Sequence, residues 1–326
     1  MPAVRPHDSD ESTLNPRRGA RYTLTWPITA MSAAAVVGED DGDRDVRWGA
    51  AVRGRIHGVR TPKLIATDLD GTFLSPDSTV SAENSAAVLA AQEAGVTVVF
   101  ATGRPIRWLE VIRGLPGAHP TVIASNGAAL YDAAADAMLD KITIDTEAAL
   151  DAVTRIRTVV DDVRFAFESG TRFGHEPHYT TWEPSDGSDP DVFSGPLETI
   201  VHEDLVKVLV QSPGLASDEL LARVDHVLGN RLSATHSSAR GHGLVEISAR
   251  GVDKGAMLAR VCARMGIDAA DVAAFGDMPN DLSMLSWVGQ PYVMANAHPA
   301  LIAQGFASVP PNSESGVGRT IRRLLG

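Results

Sequence analysis

Two aspartates, Asp68 and Asp70, stand one residue apart at the end of a short apolar run, Leu64 to Thr67, and Gly71 follows them. In extended chain, positions i and i+2 face the same side, and a glycine lets the backbone turn sharply beside them. Adjacent carboxylates repel unless a cation lies between, and Mg²⁺, a hard ion that takes oxygen ligands, suits such a pair. The same residues also fit a capped strand-to-helix turn with no chemistry in it.

Four further groups have types and settings that could act with this pair. Thr102, in ATGR, offers a hydroxyl beside free backbone N–H groups, which together can hold a phosphate oxygen. Lys254, in VDKG, is one of four lysines in a chain with 25 arginines. A compact ammonium at a helix start could reach a carboxylate and a phosphoryl group together. It is otherwise an ordinary first-turn lysine, unfavourable at the positive end of the helix dipole. GDMPND sets Asp277, Asn280 and Asp281 within five residues, a crowding that is electrostatically costly unless a cation is bound. Asn126, in SNGA, joins them if its strand ends at the same edge.

The elements needed to bring these groups together can be read from pattern. Leu64 to Thr67 is too short for a helix and reads as a buried strand ending at Asp68. Ser81 caps an alanine-rich helix, Ala82 to Ala94, with Gly95 just past its end. Val96 to Phe100 is a second strand before Thr102, and Arg104-Pro105 opens a further helix. Thr121 to Ala124 is a third strand. Strands alternating with helices imply a parallel, right-handed, doubly wound sheet, whose ligands lie at the carboxyl ends of the strands. A helix from Val252 to Met265, a strand from Asp271 to Phe275, strands at Gln290 to Ala295 and Ala307 to Val309, and a helix from Val317 to Leu325 complete it. Between Lys141 and Arg250 the rhythm changes: Arg164 to Glu168 leads into a long polar stretch, His175 to Ser188, and strands follow at His202 to Gln211, Arg231 to Thr235 and Leu244 to Ser248. With helices from Glu147 to Val160 and Ser217 to Leu228, they predict an inserted α+β module.

The 326 residues, 44% hydrophobic and 21% charged, suit one large or two modest domains with a substantial core. A net charge of −12 argues against nucleic acid or an anionic membrane as partner. A single cysteine, Cys262, excludes an intramolecular disulfide, fits a small core residue, and favours a reducing cytoplasm. Residues 1–60 mix nine arginines and eight acids with Pro, Gly, Ser and Thr, show no sustained period, and are expected to be disordered. Arg17 and Arg18 raise a twin-arginine export signal as an alternative, but Thr23, Thr25, Trp26, Pro27, Thr29 and Ser32 interrupt the apolar stretch after them. His175, His178, His236 and His242 match no standard zinc spacing and are expected at the surface or facing substrate.

DLDGT, ATGR, SNGA, VDKG and GDMPND, in this order, resemble the haloacid dehalogenase (HAD) superfamily of phosphatases, in its Cof-type branch with a type IIB cap. The resemblance covers residues 63–326. It implies a Rossmann-like α/β core, residues 61–144 and 251–326, and an inserted α+β cap, residues 145–250, acting as a mobile lid. It further implies that Asp68 is the nucleophile that becomes an aspartyl-phosphate, and that Asp70 acts as general acid and then base. Thr102 and Lys254 would hold the phosphoryl oxygens. Asp68, Asp70 through its carbonyl, and Asp277 would bind Mg²⁺, with Asn280 and Asp281 orienting that shell. Gly103, Asn126 and Asn280 are the expected substrate contacts. The expected partner is a small phosphorylated metabolite, a sugar phosphate by analogy, with no nucleic acid, membrane or obligatory protein partner. A phosphomutase and a non-catalytic phosphate-binding protein are the rival readings; the latter would normally have lost Asp68, Asp70, Lys254 or Asp277. Ala295 in place of a usual glycine and the loose PNSESG stretch depart from the family pattern around Asn296 and Asn312.

Overall fold

The computed structural model describes residues 60–181, 191–202, 204–237 and 243–326. The expected disorder of the N-terminal stretch and its twin-arginine alternative fall, up to residue 59, outside the described residues, as does His242.

The chain first lays down β1 (Leu64–Thr67), α1 (Ala82–Glu93), β2 (Thr97–Ala101), β3 (Thr121–Ala124), β4 (Ala129–Asp132) and β5 (Ala137–Lys141). After an excursion it returns with α5 (Lys254–Met265), β12 (Val272–Gly276), α6 (Leu282–Trp287), β13 (Gln290–Met294), α7 (Pro299–Ile302), β14 (Ala307–Val309) and α8 (Gly316–Leu325). These strands form one eight-stranded sheet in the order β14-β13-β12-β1-β2-β3-β4-β5. The pairs from β14 to β3 are parallel. β4 and β5 instead add an antiparallel hairpin, so the expected all-parallel sheet has an antiparallel edge. That hairpin follows directly from the Ser125–Gly127 turn, which reverses the chain in too few residues for a crossover helix.

Strands buried on both faces read as continuous apolar runs, and alternate residues go to opposite sides. Ile65, Val98 and Phe100 pack with α1 and α8 through Ala87, Val88, Val317 and Ile321. Leu64, Ala66, Val99 and Ala101 pack with α5 and α6 through Leu258, Cys262, Met284 and Leu285. Cys262 is thus the small core residue expected of it. The helices start where their caps dictate: Ser81 Oγ accepts from Asn84 N–H at 3.1 Å, and Asp253 Oδ1 from Ala256 N–H at 2.8 Å.

One expected helix is absent. After Pro105 the chain makes two single 3₁₀ turns, Ile106–Trp108 and Glu110–Ile112. Its buried residues, Ile106, Leu109 and Ile112, recur every three positions, the 3₁₀ period, and Gly114 ends the segment at a φ of 77° before an α-helix could propagate.

The excursion carries α2 (Thr146–Ile156), β6 (Arg164–Glu168), β7 (Phe173–His175), β8 (Val192–Ser194), α3 (Leu197–Ile200), β9 (Lys207–Ser212), α4 (Ser217–Leu228), β10 (Leu232–Thr235) and β11 (Gly243–Ala249). Its strands make a second sheet, β10-β11-β9-β6-β7-β8. One face is apolar: Phe165, Phe167, Val208, Val210, Val245 and Ile247 bury against α2 and α4. The alternate positions carry Glu168, Lys207 and Glu246 among Ala166, Leu209 and Leu244, a face with buried charges. Among the described residues no helix is long and apolar enough to cross a membrane.

Candidate active site

Three neighbouring strands deliver the chemistry-bearing residues to one edge. The register aligns Thr67 with Phe275 on one side and with Phe100 on the other, so Asp68, Asp277 and Thr102 emerge together. The Asp68 N–H extends the ladder to the Phe275 carbonyl at 3.1 Å. Leu69–Phe73 then winds into a single wide turn, with Gly71 at φ 78°. A Cβ on Gly71 would lie 2.2 Å from Asp277 Oδ2, so only glycine permits both the backbone conformation and the approach of that carboxylate. Gly71→Ala should therefore displace Asp277, lowering the melting temperature and reducing turnover about 10²-fold, as an ångström-scale misplacement does; unchanged kinetics would show that this approach is dispensable.

Lys254 is fully buried at the first position of α5, and its Nζ donates at 2.6 Å to both Asp68 Oδ1 and Asp281 Oδ1. Asp281 is fully engaged: its Oδ2 accepts the backbone N–H groups of Asp277 (2.9 Å) and Met278 (3.0 Å), which shapes the GDMPND loop. Thr72 Oγ1 donates to Asp277 Oδ1 at 2.9 Å. Ligand oxygens of Asp68, Asp277 and Asp281 lie within 4.8 Å of one another, and all three residues are buried. Three carboxylates against one ammonium leave the ionised cluster two charges short of neutrality, which matches a divalent cation, and an all-oxygen donor set suits a hard one. Without that cation, burial raises the Asp68 pKa to about 7, against the opposing pull of Lys254 and with added repulsion from Asp281 and Asp70. Burial likewise raises Asp277 well above the usual carboxylate range, helped by Asp68 and Asp281. Burial alone would lower Lys254, but Asp281 and Asp68 hold it above the ordinary lysine value.

Asp70 sits apart from this cluster. Its carboxylate is exposed and is gripped by the Arg104 fork, Nε to Oδ2 and Nη2 to Oδ1, both at 2.7 Å. Arg104, from ATGR, is a site residue the sequence reading used only as a helix opener. Thr102 is buried, and its hydroxyl accepts the Arg104 N–H at 3.0 Å.

The other expected contacts meet the second sheet. Ser125, Asn126 and Gly127 all have left-handed φ values, 49°, 56° and 97°. They press the loop against the Asp253 carbonyl, which a Cβ on Gly127 would approach to 2.3 Å. This turn presents Ser125 Oγ to Glu168 Oε1 at 2.6 Å, while Asn126 Nδ2 donates to Glu246 Oε2. Asn126 Oδ1 accepts Asn280 Nδ2 at 3.0 Å, so both ends of the Asn126 amide are already engaged with protein. The Gly103 carbonyl accepts Lys207 Nζ at 2.7 Å. Glu168, Lys207 and Glu246 escaped the sequence reading, although Lys207 carries the signal applied to Lys254: a lysine in an arginine-rich chain, here inside an apolar strand. Between the two sheets lies a cleft of about 550 Å³, lined by Asp68, Asp70, Gly103, Asn280, Tyr179 and Trp108 among others.

His236 departs from expectation: it is buried, with its Nε2 at 2.9 Å from Asp218 Oδ1, while His298 Nε2 lies 3.2 Å from Asp218 Oδ2. His298 Nδ1 accepts the Ala300 N–H at 3.2 Å, so in the neutral ring the proton sits on Nε2 and is donated to Asp218. That tautomer makes the trio a hydrogen-bonded clasp between the second sheet's module and α7 rather than a ligand set. His178 is exposed, as expected, and His175 half-buried.

A family model described as haloacid dehalogenase-like hydrolase matches residues 65–321. A 5-amino-6-(5-phospho-D-ribitylamino)uracil phosphatase of Bacillus subtilis is 28% identical, over 81% of this chain and 98% of its own. A haloacid dehalogenase-like hydrolase of B. subtilis superposes with a TM-score of 0.68 at 26% identity, covering 80% of this chain and 99% of the other. A HAD subclass IIB sugar phosphatase shares the fold, with a TM-score of 0.67 at 18% identity over 80% of this chain and 98% of its own.

Proposed function

Because the chain belongs to the haloacid dehalogenase-like hydrolases and is a phosphatase of that family, we propose that it is a Mg²⁺-dependent phosphomonoesterase working through an aspartyl-phosphate on Asp68. Its substrates on this reading are small phosphorylated metabolites, sugar phosphates foremost, in the cytoplasm. The relative that acts on a phosphoribityl compound supports a polyhydroxylated leaving group. The observation that carries the reading is the Lys254 ammonium, 2.6 Å from Asp68 Oδ1, within a buried cluster of three carboxylates at the strand ends.

Asp68, Asp277 and the Asp70 carbonyl would hold Mg²⁺, with Asp281 keeping the loop in shape; the ion supplies neutralisation of phosphoryl charge. The Asp68 carboxylate attacks phosphorus, the bond to the leaving oxygen breaks, and Asp70 hands that oxygen a proton. Asp70 then takes a proton from the water that attacks the aspartyl-phosphate, releasing inorganic phosphate and regenerating Asp68. Arg104 donates to both Asp70 oxygens, so protonating Asp70 has to weaken that fork. Lys254 and the Thr102 hydroxyl hold the non-bridging oxygens. Residues 61–144 and 251–326 serve as the catalytic core on this reading. Residues 145–250 are the cap, whose closure keeps bulk water from the acyl-phosphate.

The test is phosphate release from a panel of monoesters, before and after exhaustive chelation. Activity should disappear with chelation and return with Mg²⁺, and borohydride reduction during turnover should convert Asp68 to homoserine. Undiminished activity after chelation would sink the metal assignment. Retention of the phosphoryl group on sugar would make the protein a mutase instead.

A further inference from the structure

Lys207, on β9 of the inserted module, is 1% exposed and stands near two carboxylates, Glu246 at 3.5 Å and Glu168 at 3.9 Å. Its shortest bond goes elsewhere. At 2.7 Å the ammonium donates to the Gly103 carbonyl, across the boundary between the module and the sheet that carries Asp68. The two glutamates reach across the same boundary, Glu168 to Ser125 Oγ at 2.6 Å and Glu246 to Asn126 Nδ2. Taking these charges out of water is costly unless each finds good partners, and the core loops supply them. Lifted away, the same groups are readily hydrated, so this face suits a surface that seats and unseats; an apolar face would stay shut.

The Gly103 carbonyl that Lys207 holds belongs to a peptide that also touches Thr102. The Gly103 carbonyl and the Arg104 N–H form one planar unit and point in opposite directions, so tilting one tilts the other. That N–H donates to Thr102 Oγ1 at 3.0 Å. A hydroxyl oxygen that accepts this bond turns its own proton away from it, which sets the rotation of the Thr102 hydroxyl. Glycine at 103 leaves room for the close approach: a Cβ there would lie 3.0 Å from Asn126 Oδ1 and 3.6 Å from Glu246 Oε2.

We propose that Lys207 is a positioning residue: by fixing the Gly103–Arg104 peptide it aims the Thr102 hydroxyl at the transferring phosphoryl group, and it does so only while the inserted module is seated on the core. This rests on the phosphatase reading above and adds a point of control to it. The coupling needs no contact between the module and the leaving group, so it acts on every ester alike. A contact from the module to the leaving group would instead differ from ester to ester.

The test is a double-mutant cycle in kcat on the full chain with Mg²⁺, using an aryl phosphate and a hexitol monophosphate. Lys207→Met keeps the length of the stem and removes the ammonium. It should lower kcat about tenfold for both esters and leave KM within about twofold, as mis-aiming a group that acts in the transition state does. Thr102→Val, which removes the hydroxyl, should cost about 10²-fold. In the Thr102→Val background Lys207→Met should cost less than about twofold, because the group it acts through is gone. Losses that simply multiply would overturn the proposal, as would an unchanged kcat or a loss confined to the KM of the hexitol ester. Since Lys207→Met leaves Glu168 and Glu246 without their cation, thermal melts check folding, and the cycle is repeated with Glu246→Gln present throughout. The amide oxygen still accepts from Asn126, and removal of the ammonium should again cost about tenfold in kcat; disappearance of that loss would show that Lys207 merely balances charge and would overturn the proposal. Native protein inactive on both esters would instead overturn the phosphatase reading, and this inference with it.

Discussion

Asp68→Asn is expected to lose at least about 10⁴-fold in turnover, because the amide keeps the shape of the side chain and is no nucleophile. Folding should be untouched or improved. Burial raises the Asp68 pKa from 3.8 to about 7, so ionising this residue disfavours the ion-free fold, and the amide removes that penalty. The asparagine oxygen can still accept from Lys254, whose second acceptor, Asp281, is retained. Loss of activity with an equal or higher melting temperature in chelator is the signature of a residue kept for chemistry at the expense of stability. Phosphate release and a thermal melt on the same preparation check both halves. Turnover within tenfold of the native protein would mean that Asp68 is not the nucleophile.

The legibility of this site from sequence follows from how local each signal was. Asp68, Thr102 and Asp277 were readable because each terminates a short apolar strand, and adjacent parallel strands must end at one edge. Lys254 was readable because its cap, Asp253, is local too. The Arg104 fork on Asp70 and the Ser125–Glu168 and Asn126–Glu246 contacts join segments far apart in the chain, so no period or spacing could announce them. The alternation that puts Glu168, Lys207 and Glu246 on the opposite face from Phe167, Val208 and Ile247 was present in the sequence. It had meaning only once that face was known to meet the core rather than water. The segment after Pro105 differs from the expected helix because a proline at a first helical position opens a 3₁₀ turn as readily as an α-helix, and Gly114 cuts the segment short. His298 went unnoticed because its partners, Asp218 and His236, arrive from the inserted module.

Lys254→Met should be inactive and should also make the fold depend on a divalent cation. Methionine matches the length of the lysine stem, so the substitution removes the charge with little change in packing. In the native protein the ammonium separates Asp68 and Asp281, at 2.6 Å from each. Without it, Asp68, Asp277 and Asp281 face one another in a buried site, and breaking a buried ion pair in this way costs about 3–5 kcal/mol. Turnover should fall about 10³-fold or more, since the transferring phosphoryl group loses a fixed positive charge. The stability loss should depend on pH in a definite direction. Asp68 already has its folded pKa raised from 3.8 to about 7, so the ion-free native protein loses that contribution as pH climbs through this interval. Lys254 is the group pulling that pKa down, so its removal extends the loss to higher pH in the variant. Mg²⁺ should then raise the melting temperature of Lys254→Met far more than that of the native protein, because the ion replaces the missing counter-charge as well as binding its own ligands. Melts in chelator and in Mg²⁺, across pH, measure both effects. Equal melting of variant and native protein in chelator, or an equal gain from Mg²⁺, would show that Lys254 does not balance the carboxylates.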